Sequence, residues 1–367
     1  MKIVHMCRNL GTGGIEAVVC SLSNEMVKRH DVTVCTIVRP APEDKFYKEL
    51  QPTVHRATIG RVGEGKPFRE MVKIAKFIKD GHYDIVHIHG FFYYFALSVL
   101  LYHRKTIFCY TIHSDAFYEN NPWDRRIFLF KKFCFRKGWI KPISISSAGQ
   151  ISFSKLYQCH SHMIFNGITP STIIQKGKTI IDDYRLEDKT KIFIHASRIS
   201  PEKNQRLLCR VFDRLIREGA DVVLLIAGPI HHQDIYDELR RYFSDRISYI
   251  GDRSDIPMLL CSADGMCLSS EYEGLPMILL ESISAGCIPI CTAVGGVVNV
   301  MEDGVEGFLA QEVTEDSFYH AMKRYLLLDD EQRMVMKKNC LARSKSFTSV
   351  QSAKEYESYY QSLLANR

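Results

Sequence analysis

The chain has 367 residues, 46% hydrophobic, 25% charged and 11% aromatic, with a formal net charge of +6. That composition excludes a disordered or fibrous chain and leaves length for two or three packed domains. No apolar stretch reaches the ~20 residues of a membrane span; no export leader is expected, since Arg8 interrupts the start after Lys2; and twelve cysteines without a C-x-x-C pair fit free thiols in a reducing cytoplasm.

Charge is unevenly placed. Residues 1–165 carry 24 basic and 13 acidic side chains, a balance of +11; the rest carry 24 and 29, a balance of −5. The asymmetry is that of two domains facing different partners, the first facing anions, or of chance on solvated faces.

In chain order, an apolar strand is expected at 3–7. It runs into Gly11-Thr12-Gly13-Gly14 and a helix at 15–28. Glycines there let backbone N–H groups approach an anion at a helix start. Glu16 replaces the third glycine of a dinucleotide fingerprint, which weakens a nicotinamide oxidoreductase reading, and a tight turn explains the run equally well. Strands are expected at 32–38, 85–88, 106–111 and 143–146, with helices at 68–79 and 123–136 and a buried helix at 91–102. Asp84 and His87-x-His89 invite a metal, but no third ligand is evident, so no metal is expected. The run from Trp123 to Lys141 interleaves Arg125, Arg126, Lys131, Lys132, Arg136 and Lys137 with Phe128, Phe130, Phe133, Phe135 and Trp139. It reads as a face for an anionic membrane or as core aromatics beneath solvated cations; no nucleic-acid motif appears. Asn166-Gly167-Ile168-Thr169-Pro170 is a break between domains.

The alternation then restarts. Strands are expected at 192–196, 222–227, 247–250, 265–268 and 288–291, and helices at 205–217, 235–243 and 277–285, then 317–328, 331–344 and 349–364. Two doubly wound α/β sheets follow, with ligands at the carboxyl ends of strands and a cleft between domains. Ser197-Arg198-Ile199-Ser200-Pro201-Glu202-Lys203-Asn204 closes the first strand of this half. Arg198 and Lys203 beside free N–H groups suit a diphosphate, and both are expected exposed. Ser200, Pro201 and Glu202 equally suit an ordinary helix start. Glu273 sits at a turn after a strand, and Glu281 follows eight residues on, nearly on the same helix face. Carboxylates accept paired hydrogen bonds from vicinal hydroxyls, and Glu281 among Ile278, Leu279, Leu280 and Ile283 is costly without a partner.

With these motifs together, the sequence resembles the retaining glycosyltransferases of family 4, the group 1 transferases of GT-B fold. Glu273-x7-Glu281 resembles the family's glutamate pair. The 197–204 run resembles its G-R-x-x-x-E-K motif, with Ser197 in place of Gly. Gly13-Gly14, Asn166-Gly167-Ile168 and Thr111-Ile112-His113-Ser114-Asp115 resemble its remaining signatures. The resemblance implies two Rossmann-like domains, acceptor-binding at 1–166 and donor-binding at 167–346, with 347–367 crossing back onto the first. It implies that Arg198 and Lys203 hold the diphosphate, Glu281 the ribose, and Glu273, Gly274 and Leu275 the donor sugar. Gly13, Gly14 and Asn166 would lie near the donor, and His113 near the reaction centre. The expected reaction moves a hexose or N-acetylhexosamine from a nucleotide sugar, a UDP-sugar, to a saccharide or lipid-linked acceptor in bacterial surface polysaccharide synthesis. No cofactor or metal is expected. An epimerase-like enzyme using the same donor is the alternative.

Overall fold

Strand and helix alternate in the computed structural model to give two all-parallel sheets. The structure describes residues 1–41, 43–61, 68–119, 125–169, 180–187 and 189–367. The first sheet contains β1 (Lys2–Cys7), β2 (Asp31–Val38), β3 (His55–Arg61), β4 (Ile85–Ile88), β5 (Ile107–Ile112), β6 (Ile140–Ser144) and β7 (His162–Met163), in the order β3-β2-β1-β4-β5-β6-β7. The second contains β8 (Lys191–Ala196), β9 (Val222–Ala227), β10 (Ile247–Tyr249), β11 (Gly265–Leu268), β12 (Ile288–Thr292) and β13 (Phe308–Ala310), in the order β10-β9-β8-β11-β12-β13. Both are doubly wound Rossmann-like sheets. Helices cover both faces, so central strands are apolar at every position, as in β9, where all six residues are buried.

The chain divides into two compact units, Met1–Thr169 with Phe347–Arg367, and Pro170–Ser346. The last helix, Ser349–Ala365, belongs to the first unit, where Tyr356 and Tyr360 are fully buried and Tyr359 stacks on His162. The outgoing and returning strands of chain meet at Ile168 and Thr348, joined by Ile168 N–H to Phe347 O (2.9 Å) and Ser349 N–H to Ile168 O (2.8 Å). A Cβ on Gly167 would stand 2.2 Å from Thr348 O, which explains glycine there. Pro170, at the end of the expected break, lies outside the described residues.

Several local expectations shift. β6 begins at Ile140 and runs through Pro142, although proline cannot donate to a ladder. The 91–102 segment is not one buried helix: Phe92–Tyr94 forms a 3-10 turn, Ala96–Tyr102 a helix, and Leu100 and Leu101 are about half exposed. No described helix is long and apolar enough to cross a membrane.

Candidate active site

In the second unit β8 and β11 are neighbours at the point where strand order reverses, the position where such sheets bind ligands. The loop leaving β8 carries Arg198 and Lys203, and the loop leaving β11 carries Glu273. Glu271 N–H donates to Glu202 O (2.9 Å), and the Ser269 hydroxyl reaches the carbonyls of Lys203 (3.0 Å) and Asn204 (3.1 Å). Lys203 Nζ lies 2.6 Å from Glu273 Oε1, which also accepts from Ser270 Oγ at 2.6 Å. Arg198 donates through Nε (2.8 Å) to Glu202 Oε1, which also accepts from Ser200 Oγ. Each cation therefore carries a carboxylate that fixes its direction, and the pairs hold the loops in one geometry.

Two expectations change here. Arg198 is half exposed, but Lys203 is only 16% exposed, because Glu273 draws it inward. The segment Pro201–Lys203 is one 3-10 turn rather than a helix start; the helix Gln205–Arg217 is capped by Asn204, whose left-handed φ of 48° turns the chain.

Support for the β8 loop comes from residues that carry no motif. Buried His195 donates from Nδ1 to Cys267 O (2.9 Å), since a carbonyl can only accept, and its Nε2 accepts from Ser197 Oγ (2.7 Å). Gln205 donates to Arg198 O at 2.8 Å. Ser197, at the position where the family resemblance expects glycine, thus has its own partner. Burial pulls His195 down to about 4, keeping it neutral. Close approach is set by two glycines in left-handed conformations. A Cβ on Gly228 would stand 2.1 Å from Ser197 O, and one on Gly295 (φ 55°) 1.8 Å from Glu273 O. Beyond Glu273, Gly274 and Leu275 are buried and lead through Pro276 into the helix Met277–Ser284, which carries half-buried Glu281.

In the first unit, His113 follows β5. Its Nε2 lies 3.0 Å from His89 Nδ1, and His89 Nε2 lies 3.1 Å from His5 Nδ1. His87 is bonded to Thr111 Oγ1 and Tyr360 Oη, both at 2.6 Å. His5 on β1 is in register with His87 on β4, so β1 supplies the third imidazole that the sequence did not show. The ligand nitrogens of His5, His87 and His89 lie within 4.8 Å of one another. These nitrogens are engaged with one another and with hydroxyls, save His5 Nε2, which has no partner among the described residues. Burial takes His5 and His113 down to about 3 and His87 and His89 well below the ordinary value. Neutral rings carry one N–H each, so the two bonds in series run in one direction. A bare acceptor at His5 Nε2 costs less than an orphaned N–H, which leaves the His113 proton on Nδ1.

The His113 loop is held by Glu119, whose carboxylate accepts from the backbone N–H groups of His113 and Ser114. Burial pushes the Glu119 carboxyl up, and nearby Lys131 counteracts this. Lys131 is itself buried, with Nζ 4.1 Å from the Tyr110 ring centre and Phe92, Phe135 and Tyr157 around it. It therefore leaves the expected membrane-facing set. Trp123 lies outside the described residues. Gly13 and Gly14 open the helix Gly14–Met26, and Asn166 is buried beside the Ile168–Thr348 crossing. Of the expected site residues, Arg198, Lys203, Glu273, Gly274, Leu275 and Glu281 belong to the second unit and Gly13, Gly14, His113 and Asn166 to the first.

The family described as "Glycosyl transferases group 1" matches residues 177–343, and "Glycosyltransferase Family 4" matches residues 12–172. The chain belongs to the group 1 glycosyltransferases. YtcC of Bacillus subtilis (strain 168), whose name assigns it provisionally to the glycosyltransferases, is 24% identical over 99% of this chain and 93% of its own. A glycosyltransferase structure from Rickettsia africae ESF-5 has TM-score 0.82 at 16% identity, covering 100% of this chain and 99% of that one. HepE of Anabaena, solved in complex with UDP, has TM-score 0.80 at 18% identity, covering 99% and 100%. The fold is thus GT-B, and the group 1 family makes this chain a transferase. Sequence reasoning missed His195, Gln205, Gly228, Gly295, Glu119 and His5 in the supporting structure of this transferase; only His5 and His195 had a signal, each an imidazole in an apolar strand.

Proposed function

We propose that this transferase moves a hexose or N-acetylhexosamine from a UDP-sugar to a saccharide or lipid-linked acceptor, with retention, in the cytoplasm during bacterial surface polysaccharide synthesis. The observation that carries the reading is the joined pair of loops at β8 and β11, which presents Arg198 and Lys203 with Glu273 at the switch point. Glycosyl transfer breaks the bond from the sugar C1 to the diphosphate, and the acceptor hydroxyl bonds to C1 and gives up its proton to the departing diphosphate. Negative charge grows on the departing phosphate, and fixed cations stabilise it there. Arg198 and Lys203 take that role without a metal. Glu281 binds the ribose hydroxyls, and Glu273 with the backbone N–H groups of Gly274 and Leu275 binds the sugar. From the first unit, the family resemblance assigns His113 to the reaction and Gly13, Gly14 and Asn166 to donor binding. HepE, solved with UDP on the same fold, supports the choice of base. The test is a thermal-shift panel of nucleotide sugars, since a ligand of the folded state alone raises the melting temperature; NMR of the product anomer reads retention. No shift with any UDP-sugar would overturn the donor assignment.

The helix Arg125–Arg136 favours a membrane-bound acceptor. It exposes Leu129 and Phe133 in a stripe with Arg125, Arg126, Arg136 and, just beyond it, Lys137. Each cation near an anionic leaflet contributes about 1 kcal/mol, and the apolar pair adds burial. Sedimentation with anionic vesicles should exceed that with neutral ones and fall with salt. Equal partitioning would return the stripe to solvent.

A further inference from the structure

The carboxyl ends of β1 to β4 in the first unit surround a cavity of about 320 Å³. It overlies the β1–β4 pair, where strand order in this sheet turns. Arg8 is the first residue after β1, Val38 ends β2, Arg61 ends β3, and Phe91 lies three residues beyond β4. The Arg8 guanidinium is 5.4 Å from the Phe91 ring centre and that of Arg61 5.2 Å from the Tyr94 ring centre. Tyr93 and Tyr94 lie 4.2 Å apart. Arg61 is 3.9 Å from Glu70, whereas Arg8 has no acidic partner among the described residues. Phe91 keeps a left-handed φ of 52°, a conformation that costs a non-glycine residue and marks ligand clamps.

We propose, resting on the transferase reading above, that this cavity is the acceptor subsite for a saccharide carrying an oxyanion. The anion lies between Arg8 and Arg61, and the apolar face of the sugar ring lies on Phe91 and Tyr93. A guanidinium fork matches a carboxylate or phosphate through two parallel hydrogen bonds. The Arg8 guanidinium, without an acidic partner among the described residues, disfavours a cationic sugar and gives a neutral one no advantage. The anion is either the carboxylate of an acidic sugar or the phosphate of a lipid-linked one, and the guanidinium chemistry is shared.

The test is binding to the full chain of glucuronate, glucose 1-phosphate and glucose, read by saturation-transfer NMR with UDP present in excess to fill the diphosphate loops. At least one anionic sugar is expected to bind about tenfold tighter than glucose, the scale of charge-assisted hydrogen bonds. Arg8→Ala should remove that preference and Arg8→Lys should restore part of it, with UDP affinity unchanged in both. A preference for glucuronate names the acidic sugar as the source, and one for glucose 1-phosphate names the phosphate. Equal binding of the three sugars, or a preference that survives Arg8→Ala, would overturn the subsite. Failure of the donor reading shows separately, as absence of UDP binding in the unmodified chain.

Discussion

The ammonium of Lys203 lies 2.6 Å from the carboxylate of Glu273, bridging loops 70 residues apart in sequence, with side-chain exposures of 16% and 8%. Truncating one partner of a largely buried pair strands the other charge. Lys203→Ala is therefore expected to cost about 3 kcal/mol of stability, by urea unfolding, as well as about 100-fold or more in turnover. The double variant Lys203→Met, Glu273→Gln should regain most of the stability and none of the turnover. Recovery of both would make the pair purely structural.

Glu281→Ala should weaken nucleoside diphosphate binding by about 1.5–3 kcal/mol, the scale of hydrogen bonds to a charged group. Calorimetry with UDP measures it. Unchanged affinity would remove Glu281 from the ribose site.

Gly295→Ala should keep the fold and lose donor affinity. The added Cβ would stand 1.8 Å from Glu273 O, so the β11 loop must move to admit it. Donor KM rising about tenfold or more, with far-UV circular dichroism unchanged, is the expected result; a shift near 1 Å is enough to disturb such geometry. Wild-type KM would show that the loop position does not matter.

Acid should destabilise the protein through its buried imidazoles. His5 and His113 are held near 3 and His195 near 4, below the ordinary 6.5, by burial. The unfolded chain takes up these protons first, so stability is full above pH 6.5 and falls as pH drops towards the folded values. Each group contributes about 1.4 kcal/mol per pH unit in that window. His87 and His89 add in the same direction. Glu119, pushed up by burial, works the other way, but one group does not offset several. Unfolding free energies at pH 7, 6, 5 and 4 check this, and His5→Gln should flatten the slope by one group's share. A flat profile would contradict the buried, neutral network.

The strands of both sheet centres were legible because burial on both faces makes them continuous apolar runs. The edges were not. β3 carries His55, Arg56 and Arg61 and is half exposed, and β7 and β13 are two and three residues long. The helix Ser147–Tyr157 hid in Ser-rich sequence, although the Ser146 side chain caps it through Gly149 N–H. In the site, the charged motif residues were legible, but their pairing was not. Sequence spacing placed Arg198 and Lys203 near a diphosphate as exposed cations; the fold gives each a carboxylate, from Glu202 and Glu273. The glycines that permit this, Gly228 and Gly295, act only through backbone proximity and leave no local pattern. Lys131 reads as a surface cation in sequence and is boxed by four aromatic rings in the fold, because β5, the Phe92–Tyr94 turn and two helices converge on it.

The proposed function turns on the grip of the Arg198 and Lys203 loop on a diphosphate. Calorimetric titration with UDP and with uridine, in EDTA, isolates that grip. UDP is expected to bind about 100-fold or more tightly than uridine, and Arg198→Ala to remove most of the difference, since charge-assisted hydrogen bonds contribute about 1.5–3 kcal/mol each. UDP and uridine binding alike, or an Arg198→Ala chain that discriminates as well as the unmodified one, would show that this loop does not hold the diphosphate.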